Sequence, residues 1–455
     1  MEPIALSFFD IFKIGPGPSS SHTIGPMRAG FHFLQALQKA DDLVLKKAER
    51  IEVTLYGSLS ATGKGHGTDR AVTAGLLGWK PDTCDAEEML KIFSQPEDMV
   101  HVQARAFSFP FAGKDIVFGD IYHSFPYSNT MIIRLIAGKE VLLEKEYYSV
   151  GGGFIQCKSE PKKESPPPRY PYGNMRELKK ALESSTLSIY ELLLQNEEAI
   201  SGKSRSQIEG ELDRILDVME SSVERGIKEH GVLPGPIKLE RKAAALHRIA
   251  QSQLMDVPDR FLVLLDAYAL AVSEENAACR LIVTAPTSGS AGVIPGLIYL
   301  LKHYFHTAQE DLRQGLAVSG CIGFMAKHNA SISGAEVGCQ GEVGIASSMG
   351  AALVAACDHA SIDAIEAAAE IAMEHSLGMT CDPIGGYVQI PCIERNAVGA
   401  VNAYNAYLMA TSGDPKKKKI SFDEVIRVMY ETGRDMCSKY KETSKGGLAT
   451  CHIFC

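Results

Sequence analysis

CKSEPKKESPPPRYPYGNMR, residues 157–176, divides the chain. Five prolines (Pro161, Pro166, Pro167, Pro168 and Pro171) without hydrophobic periodicity predict an extended linker or an ordered proline-rich loop. On its N-terminal side the pattern is mixed α/β. Ile51 to Tyr56 alternates as a half-buried strand does, and so do Ile116 to Tyr122 and Met131 to Ile136. Glu140 to Val150 reads as a further strand, stopped by Gly151-Gly152-Gly153. Pro26 suits the first turn of a helix running through Phe31, Leu34 and Leu37. On the C-terminal side nearly everything reads as helix. Ile208, Leu212, Ile215, Met219 and Val223 recur at spacings of 4, 3, 4 and 4. Ser421-Phe422-Asp423-Glu424 is a capping box, and Asp363 to His375 is rich in strong helix formers. The expected fold class is α+β: an N-terminal α/β domain over 1–156, the linker 157–176, and a mostly α-helical domain over 177–455.

Composition narrows the function classes. A length of 455 residues suits two to three domains, and 45% hydrophobic with 22% charged residues is ordinary for a globular chain. The 46 basic residues are outnumbered by 55 acidic ones, which argues against nucleic acid as a partner. The one basic run, Lys416 to Lys419, reads as a solvated turn. Met1 to Ile14 carries Glu2 and Asp10 and lacks the pattern of a secretory signal. Leu281 to Leu301 is uncharged and long enough for a bilayer, but its centre, Thr284 to Ser290, is polar and helix-breaking. Two apolar elements joined by a loop are expected there, in a cytoplasmic protein with no membrane partner. Eleven cysteines, an odd count with no secretory signal, point to reduced thiols or metal ligands. Cys84, Cys157, Cys279, Cys321, Cys357 and Cys437 read as small buried hydrophobes.

Five segments combine glycine with Ser, Thr, His or Cys, the composition of loops that bring backbone and small polar groups to a ligand. Gly15 to Gly25 (GPGPSSSHTIG) sets Ser19, Ser20, Ser21 and His22 before a helix. Helix-start N–H groups there suit a carboxylate or phosphate, although a serine N-cap beside a surface histidine explains the pattern equally well. Gly57 to Asp69 (GSLSATGKGHGTD) follows a strand as a phosphate loop would. The match fails, because five residues separate Gly57 from Gly63 and Gly65, not Ser or Thr, follows Lys64. A mobile loop presenting His66 remains. Val283 to Pro295 offers Thr287, Ser288 and Gly289, either for a small carboxylate or as a plain turn. The last two segments, SGAEVGCQGEVG (333–344) and CDPIGGYVQIPCIERN (381–396), hold Cys339, Cys381 and Cys392 on Gly- or Pro-marked loops. Their spacing fits no compact zinc or ferredoxin pattern. The terminal Cys455, after Lys445-Gly446-Gly447-Leu448-Ala449, could complete a four-thiolate set.

Together these stretches, with GPSSSHTIGPMRAG (17–30) and YSVGGGF (148–154), resemble the iron–sulfur L-serine dehydratases (L-serine ammonia-lyases) in their single-chain, two-domain form. The linker, the lysine run and Cys451 lie outside that pattern. The resemblance implies a [4Fe–4S] cluster on Cys339, Cys381 and Cys392, with Cys455 a removable fourth ligand. It implies an N-terminal domain similar to an allosteric substrate-binding domain, a helical catalytic domain, L-serine as substrate and a homodimer. Loss of water from serine needs a Lewis acid for the β-hydroxyl and a base near neutral pKa for the α-proton. Of 13 histidines only His22 and His66 sit in Gly/Ser loops, which makes them the acid–base candidates. Ser19 to Ser21 and Thr287 to Gly289 would hold the carboxylate. Two rival readings differ in their predictions. A pyridoxal-phosphate dehydratase would use Lys327 for its Schiff base and the Ser288 to Gly292 loop for phosphate, leaving the four cysteines unexplained. A non-catalytic amino-acid or redox sensor with a structural metal would hold iron without releasing ammonia.

Overall fold

The structure is a computed structural model that describes residues 2–95, 97–161, 165–252 and 255–451. The N-terminal half is built on a five-stranded sheet in the order Ile116–Phe118, Arg50–Tyr56, Thr130–Ala137, Glu140–Ser149, Ile155–Cys157. Only the first pairing is parallel. Ile51, Val53 and Leu55 face Leu135, Ile133 and Met131 across the central pair, so the alternation seen in the sequence becomes one buried face. The strand expected over 116–122 ends at Phe118, because Gly57 and Gly119 divert their N–H bonds into a loop closure with Asp120 and Leu55. A separate hairpin, Met99–Ala104 with Phe107–Ala112, was not signalled by the sequence pattern; Pro110 interrupts its alternation.

The helices Gly25–Lys39 and Thr68–Leu76 cover the sheet. They cross at glycines: a Cβ on Gly75 would lie 2.0 Å from the Met27 carbonyl oxygen, and one on Gly30 2.3 Å from that of Val72. Backbone-to-backbone contact at this crossing fixes the angle at which the first helix leaves the Ser19–Ile24 turn.

The second half is helical and centred on Val343–Cys357, a helix all of whose residues are buried. Its sequence, VGIASSMGAALVAAC, is apolar or small on every face, as a helix surrounded by others must be. Gln309–Asn329, Ile362–Glu374, Cys392–Ser412 and Val293–His303 enclose it. The capping box at Ser421 is present, and Leu281–Leu301 resolves into a short strand and a helix joined by a loop. No helix among the described residues is long and apolar enough to cross a membrane.

The two halves interlock at the N-terminus. Phe8, Ile11 and Phe12 pack in the helical core, and Ile14–Pro16 pairs antiparallel with Leu281–Val283. Only after this pairing does the chain cross into the sheet-bearing half. At the other junction the end of the proline-rich segment is ordered against helix. Tyr170 exchanges two hydrogen bonds with the Asn196 side chain, and buried Tyr172 accepts from the Ile4 N–H.

Candidate active site

The loops singled out by composition converge between the halves. A small cavity is lined by Ser19, His66, Gly289, Cys339, Cys381 and Cys392, together with Glu342 and Glu442.

Each side chain is positioned by its own element. Ser19 caps the π-helical turn Ser20–Ile24 by accepting from the His22 N–H at 3.2 Å. The N-cap reading of this segment holds, but His22 is fully buried rather than at the surface. The 57–69 segment is not an open loop. Ser58–Thr62 is a short helix, and His66 is buried beneath it, its ring centroid 4.5 Å from that of His22.

The hydrogen bonds fix both tautomers. His66 Nδ1 lies 2.9 Å from the Thr62 carbonyl oxygen, which can only accept, so Nδ1 carries the proton. His66 Nε2 is buried with no hydrogen-bond partner. Ser58 donates its hydroxyl proton to the Glu442 carbonyl oxygen at 3.0 Å, so at 3.0 Å from His22 Nε2 it must accept. His22 Nδ1 then accepts from Ser21 at 2.8 Å. Burial holds both imidazoles neutral. It lowers His22 to about 4 and His66 well below its ordinary value, with the neighbouring His22 adding to the effect on His66.

Cys339 sits one turn ahead of the buried central helix, and Cys392 is the first residue of Cys392–Ser412. Helix N-termini favour thiolates. Cys381 is held by a parallel bridge to Lys441. All three thiols are buried, and those of Cys339 and Cys381 each lie 4.0 Å from a Glu342 oxygen. The hydrogen bond with Cys339 and then burial raise Cys381 well above the usual thiol range; burial and then the Cys339 charge raise Cys392. Arg395 donates to the Thr380 carbonyl oxygen at 2.6 Å, and its charge acts on Cys339 and Cys392. Three buried thiols closing on one cavity beside a guanidinium form a donor set suited to a metal or iron–sulfur centre. Cys455 lies outside the described residues, and Cys451 is exposed.

Ser20, Ser21, Thr287 and Ser288 are buried but do not line the cavity. Thr287 interacts with Ser290 at 3.1 Å and with Glu342, and the buried Ser288 hydroxyl has no partner. Asn396 ties this loop to the cysteine helix, donating to the Gly289 carbonyl oxygen and accepting from the Gly292 N–H. Lys327 is not in the cavity lining; its ammonium lies 4.0 Å over the Phe154 ring. Of the cysteines expected to be buried, Cys437 is instead exposed and Cys84 and Cys279 are half-buried.

The sequence reading missed Glu342, Glu442, Ser58 and Asn396. Glu342 lies inside a quoted motif. Glu442 belongs to a strap, 438–451, that turns back over the cavity. The Glu442 N–H donates to the Cys381 carbonyl oxygen at 2.7 Å, and the Leu448 N–H donates to Asp382 at 2.8 Å. Gly447, at φ +61°, lies where a Cβ would fall 1.9 Å from Asp382, which accounts for the second glycine of the tail's pair. Burial raises both Glu342 and Glu442 to about 8.

Residues 7–160 match the family model described as serine dehydratase beta chain, and residues 184–449 the one described as serine dehydratase alpha chain. L-serine dehydratase 2 of Escherichia coli (strain K12) is 44% identical over 99% of this chain and 100% of its own length. The L-serine dehydratase of Streptomyces coelicolor is 42% identical over 99% of this chain and 100% of its own. That of Haemophilus influenzae is 41% identical over 98% of each.

Proposed function

This chain belongs to the serine dehydratase family, with beta-type and alpha-type parts on one polypeptide, and we propose that it deaminates L-serine to pyruvate and ammonia. The observation that carries the reading is one cavity holding both an unpartnered neutral imidazole nitrogen and three thiols. Cys339, Cys381 and Cys392 would hold a [4Fe–4S] cluster, with Cys455 as a displaceable fourth ligand. Such a cluster supplies a Lewis acid for the departing β-hydroxyl.

His66 is the α-proton base. Its Nε2 lone pair is free and the residue lines the cavity, whereas both nitrogens of His22 are engaged. His22 stacks on His66 and holds it in place, a positioning role. The Thr62 carbonyl, bound to Nδ1–H, stabilises the imidazolium formed when Nε2 takes the proton. Ser19, the Thr287–Gly289 backbone and the unpartnered Ser288 hydroxyl supply the polar groups for the substrate carboxylate, with Ser20 and Ser21 supporting the same turn. Elimination gives 2-aminoacrylate, which tautomerises and hydrolyses to pyruvate and ammonia. The strap, through Glu442, helps close the site to water. The domains run 1–156 and 177–455, and the working protein is a cytoplasmic homodimer.

The test is anaerobic purification, iron and sulfide counts, and assay of pyruvate and ammonia from L-serine on the same sample. Equal yields of the two products with intact iron support the reading. Iron without ammonia release would leave a sensor instead.

A further inference from the structure

The cavity lining holds two carboxylates and three thiols, yet no lysine or arginine among the described residues. The nearest guanidinium, Arg395, is spent on Thr380, Asp382 and the thiols. Glu342 also has a local role: it interacts with Thr287 and lies against two sulfurs. Glu442 has none.

The Glu442 side chain is 10% exposed and no hydrogen bond to its carboxylate exists among the described residues. His22 Nδ1 lies 3.6 Å from it, and the other groups that feel its charge, Glu342, Cys381 and Cys392, carry no positive charge to pair with it. That nitrogen is the acceptor of the Ser21 hydroxyl, so it has no proton to give the carboxylate. The backbone, by contrast, is pinned on both sides, by Cys381 at 2.7 Å and Ser58 at 3.0 Å, and sits at φ 56°. A non-glycine residue held in the left-handed region by flanking bonds, aiming an unpaired carboxylate into a cavity, is costly unless a ligand repays it. The cavity also holds the unpartnered His66 Nε2, an independent sign of a missing ligand.

We propose that Glu442 is the receptor for the substrate's α-ammonium group and thereby the residue that restricts this site to amino acids. The proposal rests on the L-serine lyase reading above. An α-ammonium is one bond from the carbon whose proton leaves, so anchoring it on the strap places that carbon in the space His66 faces. A hydroxy acid without the amino group would leave Glu442 buried and unpaired.

The experiment compares wild-type holoenzyme with Glu442→Gln and Glu442→Asp, all purified without oxygen and counted for iron and sulfide. KM and kcat are measured for L-serine. The inhibition constant is measured for 3-hydroxypropionate, which is serine without its amino group. Loss of a buried charge partner should raise KM for L-serine in Glu442→Gln by roughly 30-fold or more, with 3-hydroxypropionate binding unchanged or tighter. Glu442→Asp, which keeps the charge, should lie between. An unchanged KM, or equal weakening of both ligands, in whichever variant retains its iron would overturn the proposal. A wild-type enzyme that releases no ammonia from L-serine would overturn the functional reading instead, so the two failures are separable.

Discussion

Replacing His66 by Asn removes the free nitrogen and little else. The Asn amide can keep the bond that Nδ1–H makes to the Thr62 carbonyl, and Nε2 has no protein partner to orphan. The structural cost is then the lost ring contact with His22, on the order of 1 kcal/mol. A positioned general base contributes roughly 100- to 10,000-fold. At about 1.4 kcal/mol per tenfold this is about 3–6 kcal/mol of barrier, well above the structural cost. His22→Asn forfeits the Ser58 bond and the same ring contact, about 1–2.5 kcal/mol, and should slow turnover only roughly 10- to 100-fold. The assay is anaerobic pyruvate release with iron and sulfide counted on each variant, run with L-serine and with serine deuterated at the α-carbon. The His66 variant should show the larger rate loss and a primary isotope effect on kcat. If His66→Asn keeps more than a tenth of wild-type kcat with its iron intact, or if the two variants fall equally, the tautomer argument is wrong.

The cysteines should separate by the same iron counts. Cys339→Ser, Cys381→Ser and Cys392→Ser should each lose iron and activity together. Cys455→Ser should keep iron but bleach faster in air, and Cys451→Ser, at an exposed position, should behave as wild type. The pH profile follows from the depressed histidine. The base works only unprotonated, so activity is lost as pH falls through the folded pKa. With His66 held well below 6.5, the acid limb of kcat, read at saturating L-serine so that Glu442 is already engaged, should lie below pH 6.5 rather than at it. Gly75→Ala puts a Cβ 2.0 Å from the Met27 carbonyl oxygen and should destabilise the N-terminal half by about 1–3 kcal/mol or more in chemical denaturation, with turnover falling as the Ser19 turn shifts.

The segments that carry the site were legible because they depart from ordinary composition. Gly, Ser and Cys crowd together where a chain must approach a ligand closely, and a strand precedes the 57–69 loop where the alternation of 51–56 says it should. The helical half was legible from 3.6-residue periodicity, as in Arg205–Gly226. Other features depend on distant parts of the chain. Phe8, Ile11 and Phe12 have helical spacing, but nothing local tells them to pack on residues beyond 190 rather than on the adjacent sheet. Which imidazole is free depends on Ser58, 36 residues from His22, and on where Ser58 sends its proton. Glu442 is one acid among 55 acidic residues, and only the strap's return to Cys381 makes it a buried, unpaired one.

That return also explains why the two halves must be considered together. The N-terminal half supplies His66, His22 and Ser58; the helical half supplies the thiols and the strap. The bond from Ser58 to the Glu442 carbonyl spans 384 residues of sequence and does two things at once. It commits the Ser58 proton, which forces His22 into the tautomer that accepts from Ser21, and it fixes the backbone from which Glu442 reaches the cavity. A single serine hydroxyl therefore couples the base and its positioning histidine to the proposed ammonium receptor. Ser58→Ala should free the His22 tautomer and loosen the strap together, lowering kcat and raising KM for L-serine in one variant. Substitutions confined to either partner should move one constant more than the other. If Ser58→Ala changes only kcat, the strap is held by its Cys381 bond and the coupling argued here does not exist.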